Sequence, residues 1–403
     1  MKLLVYSDMS SDPWGGSEIL WTKLIPVLQD RGVQVAATTF ASRQARQVCQ
    51  SHGLSETMLL PRSAVRPSRR VLPKVLNKLS GRAMQRARQR VWLDRQRRFC
   101  EHASPDVVFV SMAWPQSGIS LHPFLKRTGT PYVCFLHGVG EAFAKHQASA
   151  ERRSFLEGAA KVLLTGQRSE RLLERWLGHP LTNAVPTLNF VDCDYFAPRP
   201  GESARDACDA TRLLCVARLS VRDKGQDVLL EALADLRDLN WRLTLVGDGP
   251  DRELLEQQVA HLALEERVEF LGDTPNAEVR ELLSTHDLFA LSSRNEGLPL
   301  SLLEAMACAL PCVATDVGSV REILQDEIGG LLVQPEDAAN LGRALRRMIE
   351  DEALRRRCAT HAMALVREKC EESAFLARVA DLIEEAAASR PSRQSESAHA
   401  ASH

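Results

Sequence analysis

Residues 292–307 read SSRNEGLPLSLLEAMA and run from a loop into a predicted helix. Pro299 is favoured in the first helical turn, where its missing N–H has no partner to lose, so we expect the helix to begin near Leu298. The N–H groups of Leu300 and Ser301 would then be free and, together with the helix dipole, would suit an anion. This stretch therefore predicts a ligand site at the start of a helix.

Two carboxylates bracket the same site. Glu296 precedes the helix and Glu304 is eight residues later, about 8 Å further along at ~1.5 Å per residue, so both can reach one elongated ligand. Carboxylates accept hydrogen bonds in pairs, which suits sugar diols. Two isolated glutamates at this spacing are more often a dipole-compensating residue and a solvated one. The segments after the helix favour the ligand site: residues 310–315 (LPCVAT) predict a buried strand, and residues 316–322 (DVGSVRE) predict a glycine-bearing turn into another helix.

The order EGLPLSLLEAMA, then PCVATDVGSVRE, closely resembles the nucleotide-sugar site of the family 4 retaining glycosyltransferases, including their E-x7-E pair. The resemblance covers the motif order of nearly all of residues 1–388. It implies an α/β fold of the GT-B type, in which two Rossmann-like domains face each other across a cleft. It also implies transfer of a sugar, with retention, from a UDP or GDP sugar to an acceptor hydroxyl. The implied acceptor is a lipid-linked glycan or a precursor of lipopolysaccharide or surface polysaccharide.

Length and composition agree with two domains, since 403 residues with 44% apolar content can fill two cores. We expect a first domain over 1–190, a linker over 191–210, a second domain over 211–370 and a disordered tail over 389–403. Residues 371–388 form a helix that, by the resemblance, crosses back to the first domain. The apolar run after Met1 is too short for a signal peptide, no other run could span a bilayer, and the ten cysteines lack C-x-x-C spacing, so we expect a cytoplasmic protein.

The first half alternates strand-like and helical segments, which predicts a doubly wound parallel sheet. The predicted strands of this half are 2–7, 33–38, 106–110, 131–136 and 161–165. After the first strand, Gly15 and Gly16 let the backbone approach a ligand closely before a helix that begins at about Ser17. His137 follows the strand 131–136 directly, where it would face the interdomain crevice. In the resembling family, the glycine loop lies between the donor phosphates and the acceptor, and the histidine contacts the transferred sugar.

The second domain restarts the alternation, and Arg218 and Lys224 flank its first strand-end loop. Two cations near a helix start can neutralise a diphosphate leaving group. The resemblance implies that they hold the donor diphosphate with Gly297, Leu298, Leu300 and Ser301, that Glu304 takes the ribose diol, and that Glu296 takes the sugar hydroxyls. The assigned catalytic residues are His137, Glu296, Arg218 and Lys224. No nucleophile is assigned, and neither metal dependence nor a cofactor is expected.

Residues 62–98 hold thirteen Lys or Arg against one acid, a local charge of +12 in a chain of net charge −1. Apolar residues recur there at helical spacing, which predicts an amphipathic basic helix or helix pair. Three interpretations stay open: binding to an anionic membrane surface or acceptor, a solvated helix face, and a nucleic-acid patch. The last is disfavoured because Trp92 is the only aromatic residue in this segment and aromatic residues do not alternate with the charge, so we expect no nucleic-acid partner. The first would place the enzyme peripherally at the inner face of the plasma membrane.

Two other functions use the same features. An epimerase or phosphorylase could share the two-domain frame, and a non-catalytic sugar-nucleotide-binding protein would keep Arg218, Lys224 and Glu304 without turnover. The sequence names neither the sugar, the base nor the acceptor, because base contacts in such sites are largely made by the backbone.

Overall fold

A computed structural model describes residues 1–7, 16–40, 43–54, 56–60, 94–115, 117–141, 147–198 and 210–389. Four predictions from the sequence fall wholly or largely outside these ranges: the role of Gly15, the basic segment up to residue 93, the linker over 191–210, and the tail beyond residue 389. Among the described helices, none is long and apolar enough to cross a membrane.

The first sheet is parallel throughout, with the strand order β3-β2-β1-β4-β5-β6-β7. Its strands are β1 Lys2–Ser7, β2 Gln34–Phe40, β3 Thr57–Leu60, β4 Val107–Met112, β5 Tyr132–Leu136, β6 Lys161–Thr165 and β7 Ala184–Thr187. The central strands β4 and β5 are buried along their whole length. They can be continuously apolar because helices cover both faces of a parallel sheet.

The second sheet is also parallel, with the order β10-β9-β8-β11-β12-β13. Its strands are β8 Thr211–Val216, β9 Trp241–Val246, β10 Val268–Gly272, β11 Leu288–Leu291, β12 Cys312–Thr315 and β13 Gly330–Val333. Strand order reverses beside β8, as β9 lies on one side of it and β11 on the other. Ligands of open α/β sheets bind at the carboxyl ends of strands near such a reversal.

Helices alternate with the strands in both halves of the chain. In the first half they are α1 Gly16–Asp30, α2 Arg43–Ser51, α3 (helical residues 94–103), α4 His122–Thr128, α5 Ala150–Glu157 and α6 Gln167–Leu177. In the second half they are α7 Val221–Lys224, α8 Gln226–Ala234, α9 Arg252–His261, α10 Asn276–Thr285, α11 Leu300–Ala307, α12 Val320–Leu324, α13 Ala338–Glu350, α14 Glu352–Lys369 and α15 Glu372–Ala388.

The predicted fold class is confirmed, since two parallel sheets with alternating helices form the two halves. The sequence missed the short strands β3, β7 and β13. Each has four residues, and β7 contains Pro186, so neither length nor composition distinguishes these strands from loops. The basic segment enters the described part of the chain only with residues 94–98, which are helical and belong to α3.

The last helix, α15, packs on the first domain although it follows the second in sequence. Val379 and Ile383 are fully buried in the same apolar cluster as Trp21 of α1. The Phe375 ring stacks on Phe190 with their centroids 4.8 Å apart. The two halves therefore share a core at this helix.

Candidate active site

Three loops meet at the carboxyl ends of β8, β11 and β12. The backbone N–H groups of Arg294 and Asn295 both donate to the carbonyl O of Asp223, at 2.9 and 3.1 Å. Ser292 Oγ donates to the carbonyl O of Lys224 at 3.1 Å. Thr315 Oγ1, at the end of β12, donates to the carbonyl O of Ser293 at 2.6 Å. Adjacent parallel strands bring their ends to one edge of the sheet, and these bonds then fix the loops to one another.

Arg294 also holds these loops together. Its guanidinium bonds both carboxylate oxygens of Asp227, at 2.6 and 2.9 Å, and also contacts Glu336 at 2.6 Å. The hydrogen bonds with Asp227 first, and with Glu336 second, raise the pKa of Arg294 above its ordinary value. Bidentate pairs of this kind fix geometry as well as charge. The role of Arg294 could not be predicted from the sequence, because its partners lie 67 and 42 residues away along the chain.

Lys224 and Glu296 pair directly with each other. Lys224 Nζ lies 2.6 Å from Glu296 Oε1, and Ser293 Oγ donates to the same oxygen at 2.7 Å. The Glu296 side chain is 8% exposed, against 24% for Lys224. The sequence placed both residues at the site, one on phosphate and one on sugar, without predicting their contact. The pair therefore offers a ligand two groups side by side, an ammonium group that can bind an anion and a carboxylate that can accept hydrogen bonds.

The helix start predicted near Leu298 is wrong by two residues. α11 begins at Leu300, and Pro299 is its N-cap in an extended conformation, with φ −70° and ψ 130°. The backbone before it is used in other contacts, since the carbonyl O of Leu298 accepts from Asn189 Nδ2 at 3.0 Å and that of Gly297 accepts from the N–H of Ser319 at 2.7 Å.

Leu300 and Ser301 nevertheless remain in the first turn of α11. The first N–H with an intrahelical partner is that of Leu303, which donates to the carbonyl O of Pro299 at 3.4 Å. The donors at the start of the helix thus precede its hydrogen-bond ladder. The anion-binding role of this end stays a prediction.

Glu304 lies in a cavity of about 200 Å³ whose walls come from both halves of the chain, including Lys23 of α1 and Glu372 of α15. Burial raises the pKa of Glu304 to about 7, and the charge of Lys23 opposes that rise. Lys23 itself forms an ion pair with Glu372. The carboxyl group predicted to bind ribose therefore changes its protonation state near neutral pH.

Arg218 lies just beyond β8 and is exposed. Its carbonyl O accepts from Gln226 Nε2 at 2.9 Å, which ties the loop to the start of α8. Among the described residues, its guanidinium has no ion pair. Arg218 and Lys224 thus share one strand-end loop, as expected, but only Lys224 contacts a site carboxylate.

The first domain contributes His137 at the end of β5. Its Nε2 lies 3.0 Å from Ser111 Oγ, and its ring lies against Phe135 with centroids 4.6 Å apart. Burial lowers the pKa of His137 to about 3, so the imidazole is neutral at neutral pH. A neutral imidazole exchanges hydrogen bonds with hydroxyls without adding positive charge.

The two domains touch at this point. A Cβ atom at Gly297 would lie 2.1 Å from the carbonyl O of His137, so only glycine permits the approach. Gly16 is the first residue of α1, one residue before the predicted start. Its predicted partner in the loop, Gly15, lies outside the described ranges.

The segments β6–α6 and β12–α12 make contacts that were not predicted from the sequence. Glu322 accepts hydrogen bonds from the N–H groups of Gln167 and Arg168, at 2.9 and 2.8 Å. The Arg168 guanidinium returns across the cleft to Asp316 at 3.0 Å. The only sign of these contacts in the sequence is that charged residues lie next to the ends of the predicted strands.

We expect no metal dependence, but the chain contains one Asp-x-Asp triplet, residues 192–194, a pattern that can hold a cation against phosphates. Asp192 Oδ1 accepts from the N–H of Tyr195 at 2.8 Å, and Asp194 pairs with Arg367 at 3.1 Å. Within the described ranges, no group of three or more His, Cys, Asp or Glu is placed to hold a metal ion. Metal independence stays a prediction.

Two family models match the chain. "Glycosyl transferases group 1" matches residues 207–364 and "Glycosyl transferase 4-like domain" matches residues 15–187. The chain is 38% identical to N-acetyl-alpha-D-glucosaminyl L-malate synthase of Bacillus anthracis over 36% of this chain and 37% of that protein. It is 33% identical to the lipopolysaccharide core biosynthesis glycosyltransferase LpsD of Rhizobium meliloti over 42% and 48% of the two chains. The chain thus spans less than half the length of either relative.

The fold is similar to that of Anabaena HepE solved in complex with UDP, with a TM-score of 0.75 over 96% of this chain and all of that one. The identity is 19%, so this likeness concerns the fold alone. HepE has also been solved with UDP-glucose.

Proposed function

Because the chain belongs to the family 4-like glycosyltransferases of the GT-B fold, we propose that it transfers a sugar from a nucleoside diphosphate sugar to an acceptor hydroxyl with retention. The observation that carries the proposal is the Lys224–Glu296 pair beside the start of α11 and opposite the His137 strand end. Cation, carboxylate and free N–H groups meet there, which are the groups that a sugar diphosphate needs.

In this proposal, a bound diphosphate competes with Glu296 for Lys224. Two phosphate charges attract the ammonium more strongly than one carboxylate does, and Arg218 is exposed on the same loop to add a second cation. Glu296 is then free to accept hydrogen bonds from sugar hydroxyls. The cations and the N–H groups of α11 stabilise the charge that develops on the leaving diphosphate.

The neutral His137 contacts the transferred sugar. The groups that bind the diphosphate stabilise the charge that develops when the bond to the sugar breaks. The departing phosphate accepts the proton of the acceptor hydroxyl as that hydroxyl attacks from the same face. No protein nucleophile is required by this scheme. A neutral histidine fits it, because a cation beside the sugar would oppose positive charge at the anomeric carbon.

The donor is a UDP or GDP sugar, and the acceptor is a glycan, glycolipid or surface-polysaccharide precursor. HepE, which has a similar fold, was solved with UDP and UDP-glucose, and LpsD is named for the lipopolysaccharide core. The same proposal places the protein at the inner face of the plasma membrane, as a peripheral membrane protein.

The test is a panel of UDP and GDP sugars, with nucleotide release measured in the presence and absence of lipid-linked glycan acceptors. Acceptor-dependent release with retained anomeric configuration supports the transferase. Isomerised donor would identify an epimerase, and binding without chemistry would identify a sugar-nucleotide-binding protein.

A further inference from the structure

A second pocket, of about 300 Å³, opens between the two domains beside the site described above. One wall is a face of α6, where Arg168, Arg171 and Arg175 follow at intervals of three and four residues. Such spacing places side chains on one side of a helix. The opposite wall is the turn into α12, with Gly318 and Arg321. Four guanidinium groups therefore border one pocket.

The acids at this pocket are held by protein groups. Glu322 accepts hydrogen bonds from two backbone N–H groups at the start of α6. Asp316 forms ion pairs with both Arg168 and Arg321, at 3.0 and 2.7 Å. These contacts leave the remaining arginines less compensated.

Arg171 and Arg175 carry the excess charge. Arg175 reaches Glu141 only at 3.8 Å, and that carboxylate lies closer to Arg168, at 3.2 Å. Arg171 is exposed, and within the described part of the chain it has no ion pair. Glu170 is its acidic neighbour on α6. Counting the lining side chains, the pocket has four positive and two negative groups.

The pocket adjoins the sugar end of the proposed donor site. A Cβ atom at Gly318 would lie 2.2 Å from the carbonyl O of Gly297 and 2.4 Å from that of Glu296. Lys224 follows β8 and Arg321 follows β12, and these strands lie on opposite sides of β11. Strands two places apart in a sheet are about 10 Å apart, so the pocket is displaced from Lys224 along the edge of the sheet. This displacement leaves room for a second substrate beside the donor.

We propose that this pocket binds a phosphate ester carried by the acceptor. The inference rests on the proposed function, because it assumes that a second substrate enters beside the sugar. Guanidinium groups bind phosphate through paired N–H donors, and the two less compensated ones, Arg171 and Arg175, match the charge of a doubly charged monoester. The phosphate belongs to a soluble molecule or to a lipid headgroup, and the pocket chemistry is the same for both.

The experiment is calorimetric titration of protein saturated with UDP, which fills the diphosphate site first. The probes are sn-glycerol 1-phosphate, dihexanoyl phosphatidic acid below its micelle concentration, and glycerol as the uncharged control. The variants are Arg171→Gln with Arg175→Gln together, and the matched Arg356→Gln, whose side chain is 80% exposed on α14.

We expect at least one phosphate probe to bind wild type, the double variant to lose about tenfold in affinity, and Arg356→Gln and glycerol to show no effect. The probe that binds identifies the source of the phosphate. Absence of binding by both probes, equal binding by the double variant, or an equal loss in Arg356→Gln would overturn the proposal. Failure of UDP itself to bind would instead count against the proposed function.

Discussion

Lys224 is the residue at which the proposed function is tested most directly. Lys224→Ala removes a charge-assisted contact to the diphosphate, which typically costs about 1.5–3 kcal/mol, so UDP affinity should fall roughly ten- to a hundredfold. Arg222→Ala is the matched control, because Arg222 is exposed on the same short helix α7. Kd is measured by calorimetry. Equal affinities for wild type and Lys224→Ala would remove Lys224 from the donor site.

Glu304 makes the stability of the protein depend on pH in a defined direction. Its pKa is raised from 4.5 to about 7 by burial, so between these values the folded state keeps a proton that the unfolded chain has released. The free energy of unfolding therefore falls as pH rises through this window and levels off above it. At ~1.4 kcal/mol per unit, the loss is at most about 3 kcal/mol.

Urea unfolding of wild type and Glu304→Gln at pH 5 and pH 8 measures this effect. The variant cannot ionise, so the stability of wild type relative to the variant should decline by about 1–3 kcal/mol between the two pH values. Parallel pH dependence of the two proteins would show that Glu304 titrates normally.

Among the elements, the turn between β12 and α12 holds the Glu296 loop in place. Gly318 has φ +52°, and a Cβ atom there would collide with two carbonyl groups of that loop. Gly318→Ala should therefore displace Glu296 and lower kcat at least tenfold, in addition to a backbone strain of about 1–2 kcal/mol.

Gly129→Ala separates strain from collision. Gly129 has φ +61°, and no atom lies within 4 Å of the place that an alanine Cβ would take, so its substitution should cost only the strain and leave turnover unchanged. Steady-state kinetics and urea unfolding of both variants make the comparison. Full activity in Gly318→Ala would mean that the loop tolerates the displacement.

For the whole molecule, α15 joins the end of the chain to the first domain. Ile383 is fully buried against that domain, so Ile383→Ala should destabilise the protein by about 2–4 kcal/mol through lost burial and a residual cavity. Leu254→Ala on α9 is the control, since Leu254 is 52% exposed. Urea unfolding gives both values, and a cost for Ile383→Ala no greater than that of the control would contradict the shared core.

The basic segment gives a second prediction at this scale. Each Lys or Arg near an anionic surface contributes about 1 kcal/mol, so vesicles with anionic lipid should bind the protein and vesicles of neutral lipid should not. Binding should collapse near ~0.5 M salt, where the screening length is well below the ~8 Å of physiological solution. Co-sedimentation of wild type and a variant with Arg82, Arg86, Arg90 and Arg97 changed to Gln provides the measurement. Equal binding to both lipids would favour a solvated face.

The fold could be predicted because its signals are local. Apolar runs separated by helical segments predict a parallel sheet twice over, and the motif order from Arg218 to Glu322 resembles one family closely. The same signals placed His137 directly after a strand, and Lys224 and Glu296 in the segments that follow strands, where the structure has them. Short strands and the start of α11 were missed because a few residues carry too little pattern to fix a boundary.

By itself, then, the sequence determined the fold class, the family and the loops that carry the site, because spacing along the chain dictates which residues lie at strand ends. Only the tertiary structure decided how these residues meet. The Lys224–Glu296 pair joins residues 72 apart, and Glu322 reaches α6 from 155 residues away. The protonation of Glu304 depends on burial between both halves of the chain. Pairing, burial and charge compensation depend on which residues are close in three dimensions. Residues distant in sequence become neighbours only when the two sheets have packed.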